Sequence, residues 1–216
     1  MTSQYWPKPL VSTNWLSNNL DNPKVKIIDS STLLPPKPDF SLYDVVPALD
    51  DYKAGHIPGA QFIDIEHELS TPHRHFHFML PTAEVFAQTM ERCGISDDTM
   101  VVTYATTSHW WATRLWWTLK VFGHVNVAVL DGGFQKWQTE NKPIETGDAK
   151  SAPPARYSLR EPNTSLIANK ESVLHHLEGQ STCLINALKR EQHDGISGVH
   201  YGRKGRIPRS INLPAL

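Results

Sequence analysis

The first 140 residues alternate short β-branched runs with stretches of helical period. No other feature constrains the fold as much, because strand–helix–strand units build a parallel sheet covered by helices. Lys24 to Asp29 (KVKIID) reads as a buried strand ending in an acid, and Ala60 to Ile65 (AQFIDI) as a second, after the turn signal Ile57-Pro58-Gly59. Thr82 begins a helix with Glu84 just inside it and Val85, Phe86 and Met90 at helical spacing, ending at Gly94. Met100 to Tyr104 (MVVTY) is a third strand, followed by a loop and a Trp-rich helix to Phe122, closed by Gly123. Val125 to Leu130 is a fourth strand, and Asp131-Gly132-Gly133 turns it into a helix carrying Trp137. The reading is βαβαβα, an α/β fold with a parallel sheet flanked by helices.

At 216 residues the chain is long for one average domain and short for two. A hydrophobic content of 39%, with 7 Trp, 7 Phe and 6 Tyr, supplies a core and excludes a wholly disordered chain. The formal charge of -1 argues against a nucleic-acid partner, whose recognition rests on a basic surface. No apolar run reaches the roughly 18 residues of a membrane span. The start, MTSQYWPKPLVST, lacks the plan of a signal peptide, so the expected location is cytoplasmic. Two cysteines, Cys93 and Cys183, cannot staple a secreted scaffold, and no CxxC pair signals zinc or dithiol redox chemistry.

Residues 1–142 therefore form one expected domain. From 143 to 162 the chain is rich in proline and small polar residues (Pro143, Pro153, Pro154, Pro162) and reads as a linker. Beyond it the theme restarts with a helix over Asn169 to Leu177 and a strand over Cys183 to Ala187. Arg206-Ile207-Pro208-Arg209-Ser210 echoes His56-Ile57-Pro58-Gly59-Ala60 at an offset of 150, and Leu184-Ile185-Asn186 echoes Ile27-Ile28-Asp29 at an offset of 157. Duplication accounts for two matches in the same order; ordinary strands and proline turns are the plainer alternative.

Three motifs carry a resemblance: Tyr52-Lys53-Ala54-Gly55-His56-Ile57-Pro58-Gly59-Ala60, Val121-Phe122-Gly123-His124, and Val129-Leu130-Asp131-Gly132-Gly133-Phe134-Gln135-Lys136-Trp137. In this order and spacing they resemble the tandem-domain rhodanese family, the thiosulfate and 3-mercaptopyruvate sulfurtransferases. Arg206 to Pro214 is similar to the start of that family's second domain. The resemblance implies a rhodanese-like domain followed by an incomplete second copy over residues 163–216. It implies transfer of sulfane sulfur through a cysteine persulfide, from a small anionic donor to a thiophilic acceptor such as cyanide or a thiol. No metal or organic cofactor is implied. Such chemistry needs a thiolate, held by loop amides and a helix N-terminus after a central strand.

Ala105 stands at that position in the first domain, and a methyl group cannot hold a persulfide. First domains of tandem rhodaneses are generally inactive, so the resemblance places the nucleophile in the second domain. Ala105 lies 49 residues past His56, and the same spacing from Arg206 falls near 255, beyond Leu216. The catalytic cysteine loop is therefore expected to be absent from this chain, and no catalytic residue is expected within it. Cys93 sits where a helix dipole raises a thiol pKa, and Cys183 opens an apolar strand that should bury it. The alternative reading is a catalytically inactive rhodanese-like binding or scaffolding protein. An incomplete second copy should also expose strand edges and promote self-association.

The segment Lys189 to Arg209 carries six cations against two anions. Arg190, Arg203 and Arg206 are the candidate donor-binding residues, and an electrostatic funnel and a merely solvated basic end stand level. Leu188 and Asn186 replace the family's arginine and aspartate, and Arg209 replaces the glycine of the turn, so the choice between thiosulfate and mercaptopyruvate stays open. His73, His75 and His77 alternate as a metal site would in an extended segment, but no fourth ligand is signalled and a solvated loop is favoured. Trp110, Trp111 and Trp117 fall near one stripe with Arg114, and Trp116 to the side. Core and inter-domain packing is favoured there over a base-stacking platform. Asp131-Gly132-Gly133 stands alone, without a dinucleotide or P-loop glycine pattern, so it is read as a turn.

Overall fold

The computed structural model describes residues 8–37, 43–179, 182–198 and 203–215. The N-terminal stretch weighed as a signal peptide lies outside them up to Pro7. Two compact units divide the backbone: Met1–Leu33 with Val45–Asn163, and Leu34–Asp44 with Thr164–Leu216.

In chain order the first unit contains β1 (Leu10–Val11), α1 (Thr13–Ser17), β2 (Val25–Asp29), β3 (Thr32–Leu33), β4 (Val46–Pro47), α2 (Leu49–Ala54), β5 (Gln61–Phe62) and α3 (Ile65–Glu68). It continues with α4 (Ala83–Arg92), β6 (Met100–Tyr104), α5 (His109–Val121), β7 (Val127–Leu130) and α6 (Gly133–Thr139). The five-stranded sheet has the order β1-β7-β6-β2-β5, every pair parallel. β2 and β6 lie side by side, Val25 opposite Met100 through Asp29 opposite Tyr104.

Successive strand residues feed opposite faces, as the pleat requires. Ile28, Val101 and Val127 pack under Phe86 and Met90 of α4 and Leu115 and Leu119 of α5. Ile27, Val102 and Ala128 pack on the other face with Leu16, Tyr52, Phe134 and Trp137. Both faces are covered, which is why the runs read as continuously apolar rather than alternating.

Local chemistry sets the ends. The Thr82 side chain accepts Val85 N and caps α4, and Gly94 leaves the helix at φ +69. The strand expected over Ala60 to Ile65 is shorter, because Asp64 accepts the amides of Glu66 and His67 and starts α3 at Ile65. β1, which the sequence did not signal, closes the sheet edge against β7. The expected linker lies along this unit: Glu145 and His56 exchange both backbone hydrogen bonds at 2.9 Å, and Tyr157 is buried in the α4–α5 core.

The second unit holds α7 (Lys170–Glu178), β8 (Ile185–Asn186), α8 (Arg190–His193) and β9 (Ile211–Asn212). β8 and β9 pair in parallel, Ile185 with Ile211 and Asn186 with Asn212.

Candidate functional site

In an open parallel sheet, ligand sites form beyond the C-terminal strand ends. Here β2 and β6 end side by side, and their following loops are tied together. Asp29 Oδ1 accepts Ser31 N at 2.8 Å and the Ser31 hydroxyl. Ser31 Oγ in turn accepts Thr106 N at 2.7 Å and Thr106 Oγ1 at 3.0 Å, while Thr107 Oγ1 donates to Thr32 O at 2.9 Å. Asp29 is fully buried, and burial raises its pKa against the opposing hydrogen bonds from Ser31. The Tyr104 hydroxyl also interacts with the Asp29 carboxylate, while Ser30 Oγ has no hydrogen-bond partner among the described residues. Tyr104, also buried, accepts Ile57 N at its hydroxyl at 3.2 Å.

Ala105 follows β6 directly and is 8% exposed. With Thr106 to His109 it lines a cavity of about 390 Å³, closed on the other side by Gly132, Gly133 and Phe134. Ser108 caps α5, its side chain accepting Trp110 N. The amides of Thr107, Ser108 and His109 have no hydrogen-bond partner among the described residues. This is a loop leading into a 13-residue helix, a suitable cradle for an anion, with the methyl group of Ala105 in its lining.

Neither thiol lines this cavity. Cys93 caps the C-terminus of α4, is fully buried, and burial pushes its pKa up to about 12. Cys183, expected to be buried, is exposed: β8 is only two residues long, and even its Ile185 is 56% exposed. Cys183 also precedes β8, at the end of the strand opposite to where the Ala105 loop leaves β6.

Of the three candidate arginines, Arg190 Nε pairs with Asp194 at 2.8 Å and Arg206 reaches the same carboxylate at 3.5 Å. Arg203 and Arg206 line a groove beside α7 that Arg190 does not line. The histidine run is not an extended comb: His73 Nδ1 accepts the amides of His75 and Phe76, and His77 Nδ1 lies 2.7 Å from Glu66 Oε1. No metal-holding cluster occurs among the described residues. Of the tryptophans, Trp111 is buried and Trp117 packs against the core as expected, but the stripe differs at two positions. Trp110 is 40% exposed, whereas Trp116 packs against the core and donates to Val127 O at 3.3 Å. Arg114 lies over the Trp117 ring at 4.7 Å and donates to Phe78 O. Asp131 binds Lys136 at 3.0 Å, and Gly132 caps α6 at φ +80.

Sequence reasoning missed the Asp29–Ser31–Thr106 network. Its one visible signal was an acid ending the first strand, and only the adjacency of β2 and β6 gives that acid a neighbour.

A rhodanese-like domain matches residues 12–140. The sulfur carrier protein TtuD of Thermus thermophilus is 35% identical over 96% of this chain and 70% of its own length. The 3-mercaptopyruvate sulfurtransferase of Rattus norvegicus is 32% identical over 96% of this chain and 69% of its own. The crystal structure of SseA from Escherichia coli, described as a 3-mercaptopyruvate sulfotransferase, superposes with a TM-score of 0.80 at 28% identity, covering 96% of this chain and 75% of SseA. No helix among the described residues is long and apolar enough to cross a membrane. With its parallel sheet, its loop–helix cradle after β6 and these relatives, the chain belongs to the rhodanese family.

Proposed function

We propose that the chain is the part of a thiosulfate/3-mercaptopyruvate-type sulfurtransferase that does not carry the persulfide. On this reading residues 1–142 form a non-catalytic rhodanese-like domain, 143–162 connect it, and 163–216 begin a second. The observation that carries the reading is Ala105 at the head of a cradle otherwise built for an anion. In the transfer itself, a thiolate attacks the outer sulfur of the donor, the donor's bond to that sulfur breaks, and sulfite or pyruvate departs. Cyanide or a thiol then takes the outer sulfur and the thiolate returns. None of these steps has a nucleophile here, since Cys93 is sealed in the core and Cys183 lies at the wrong strand end.

Arg203 and Arg206 serve as the attracting charges for a small anionic donor, with Arg190 holding Asp194 between them. Both cysteines are free thiols, which supports a reducing, cytoplasmic location. The short β8–β9 ladder, exposed at Ile185 and Ile211, supports self-association through its open edge. A binding or scaffolding role is the second reading, favoured by the same alanine.

The test is cyanide-dependent thiocyanate formation by the 216-residue chain, with thiosulfate or 3-mercaptopyruvate as donor. No cysteine-dependent turnover is expected; turnover lost in Cys93→Ser or Cys183→Ser overturns the proposal. Reading the gene past the Leu216 codon separates the two roles. A continuation with a strand-loop cysteine near position 255 supports the sulfurtransferase, and its absence supports the scaffold.

A further inference from the structure

Asp29, at the end of β2, is the meeting point of two hydrogen-bonded arms. One runs to the cradle: Thr106 N and Thr106 Oγ1 donate to Ser31 Oγ at 2.7 and 3.0 Å, and Ser31 donates to Asp29 Oδ1 from both its N and its hydroxyl. The other runs to the turn before β5: Ile57 N donates to Tyr104 Oη at 3.2 Å, which leaves the Tyr104 hydrogen for the Asp29 carboxylate. In both arms the hydrogens point toward Asp29. Tyr104, Ala105 and Thr106 all line the cavity, so both arms act on its wall.

Asp29 is fully buried and makes no ion pair among the described residues. The titratable groups around it are Tyr104 from β6, Tyr52 from α2 and His56 from the turn after α2, with Glu145 Oε2 3.9 Å beyond His56 Nε2. The Tyr52 hydroxyl donates to Ala60 O at 2.6 Å, and His56 Nδ1 lies 2.9 Å from Tyr52 O. Those two groups are engaged elsewhere, which leaves Tyr104 to answer a change at the carboxyl.

A carboxylate only accepts hydrogen bonds, whereas a carboxylic acid also donates one. A proton taken from solvent by Oδ2 is given to Tyr104 Oη, and the Tyr104 hydrogen turns away. Tyr104 keeps that hydrogen, because burial and the nearby Asp29 raise its pKa. On the other arm Ser31 still has its acceptor, but a hydrogen bond to a neutral oxygen is about half as strong as one to a charged oxygen.

We propose that Asp29 is a proton switch for the cradle. Ionised, it clamps the Thr106 loop through Ser31 and the Ile57 turn through Tyr104; protonated, it slackens the first clamp and reverses the second. Burial favours the protonated form and so moves the switch above the ordinary aspartate range. The device is built from buried groups of the first unit and not from sulfur chemistry, so its failure leaves the sulfurtransferase reading standing.

An NMR titration of the full chain from about pH 4 to about pH 9, the span that buried carboxyls reach, tests the switch. It follows the Asp29 carboxyl carbon and the amide protons of Thr106 and Ile57, and one shared midpoint is expected for all three. Asp29→Asn should abolish both amide titrations, Ser31→Ala only the one at Thr106, and Tyr104→Phe only the one at Ile57. Amides that ignore the Asp29 midpoint in the unaltered chain overturn the proposal, as does a carboxyl that does not titrate in this range. Loss of both amide responses in either single-arm variant contradicts two separate arms and overturns it as well. Amide titrations that persist in Asp29→Asn assign the proton to His56 or Glu145 and overturn it equally.

Discussion

Ser31 and Thr106 are joined across the ends of two neighbouring strands: Ser31 Oγ accepts Thr106 N at 2.7 Å and Thr106 Oγ1 at 3.0 Å. The same hydroxyl donates to Asp29, so one side chain holds both loops of the cradle. Ser31→Ala leaves the Thr106 amide and hydroxyl without this acceptor and removes one of the two donors to Asp29 Oδ1, and should cost about 1–3 kcal/mol. Urea unfolding checks this; an unchanged midpoint would remove Ser31 from the account.

Burial raises the Asp29 pKa above 3.8. The folded state therefore holds this proton more tightly than the unfolded chain, and stability falls as pH rises from the ordinary aspartate value through the raised one. Asp29→Asn keeps an acceptor for Ser31 N and cannot ionise. Its urea midpoint should lose that decline between pH 4 and neutrality, and a decline of wild-type slope would contradict the assignment.

His124 is fully buried between Thr99 O, 2.9 Å from Nε2, and Tyr157 Oη, 3.0 Å from Nδ1. A carbonyl only accepts, so Nε2 carries the proton and Nδ1 accepts from Tyr157. Desolvation holds the His124 pKa below 6.5. The unfolded chain then binds the proton more readily, so this stabilisation is whole above about pH 6.5 and is lost as pH falls toward the lowered value. Tyr157→Phe should cost about 1–3 kcal/mol at neutral pH by orphaning Nδ1. Thermal melts at pH 7.5 and 5.5 measure both effects.

Hydrogen exchange should divide the chain. Amides of Ile27 and Val102, central in a sheet covered on both faces, should exchange far more slowly than those of Ile185 and Ile211. Equal protection in a monomer would mean that the β8–β9 ladder is covered.

Much of the first unit was legible in the chain. Met100 to Tyr104 is buried at every residue, so its apolar run announced a central strand. Thr82 and Gly94 bracket α4 by chemistry that is local in sequence. What stayed hidden depends on partners distant in the chain. Tyr157 sits among prolines, yet packs on Phe86 at a ring separation of 5.6 Å. Trp116 finds its acceptor at Val127, and Ser31 meets Thr106 only because β2 lies beside β6. Cys183 has an apolar sequence context but lies beside a ladder too short to cover it.

The central claim is that none of these 216 residues supplies the sulfur-bearing nucleophile. Intact-mass spectrometry after exposure to thiosulfate or 3-mercaptopyruvate tests it most directly. An unchanged mass, with both thiols still free to alkylation after unfolding, is the predicted result. A gain of one sulfur atom that maps to Cys93 or Cys183, and is released as thiocyanate by cyanide, would contradict it.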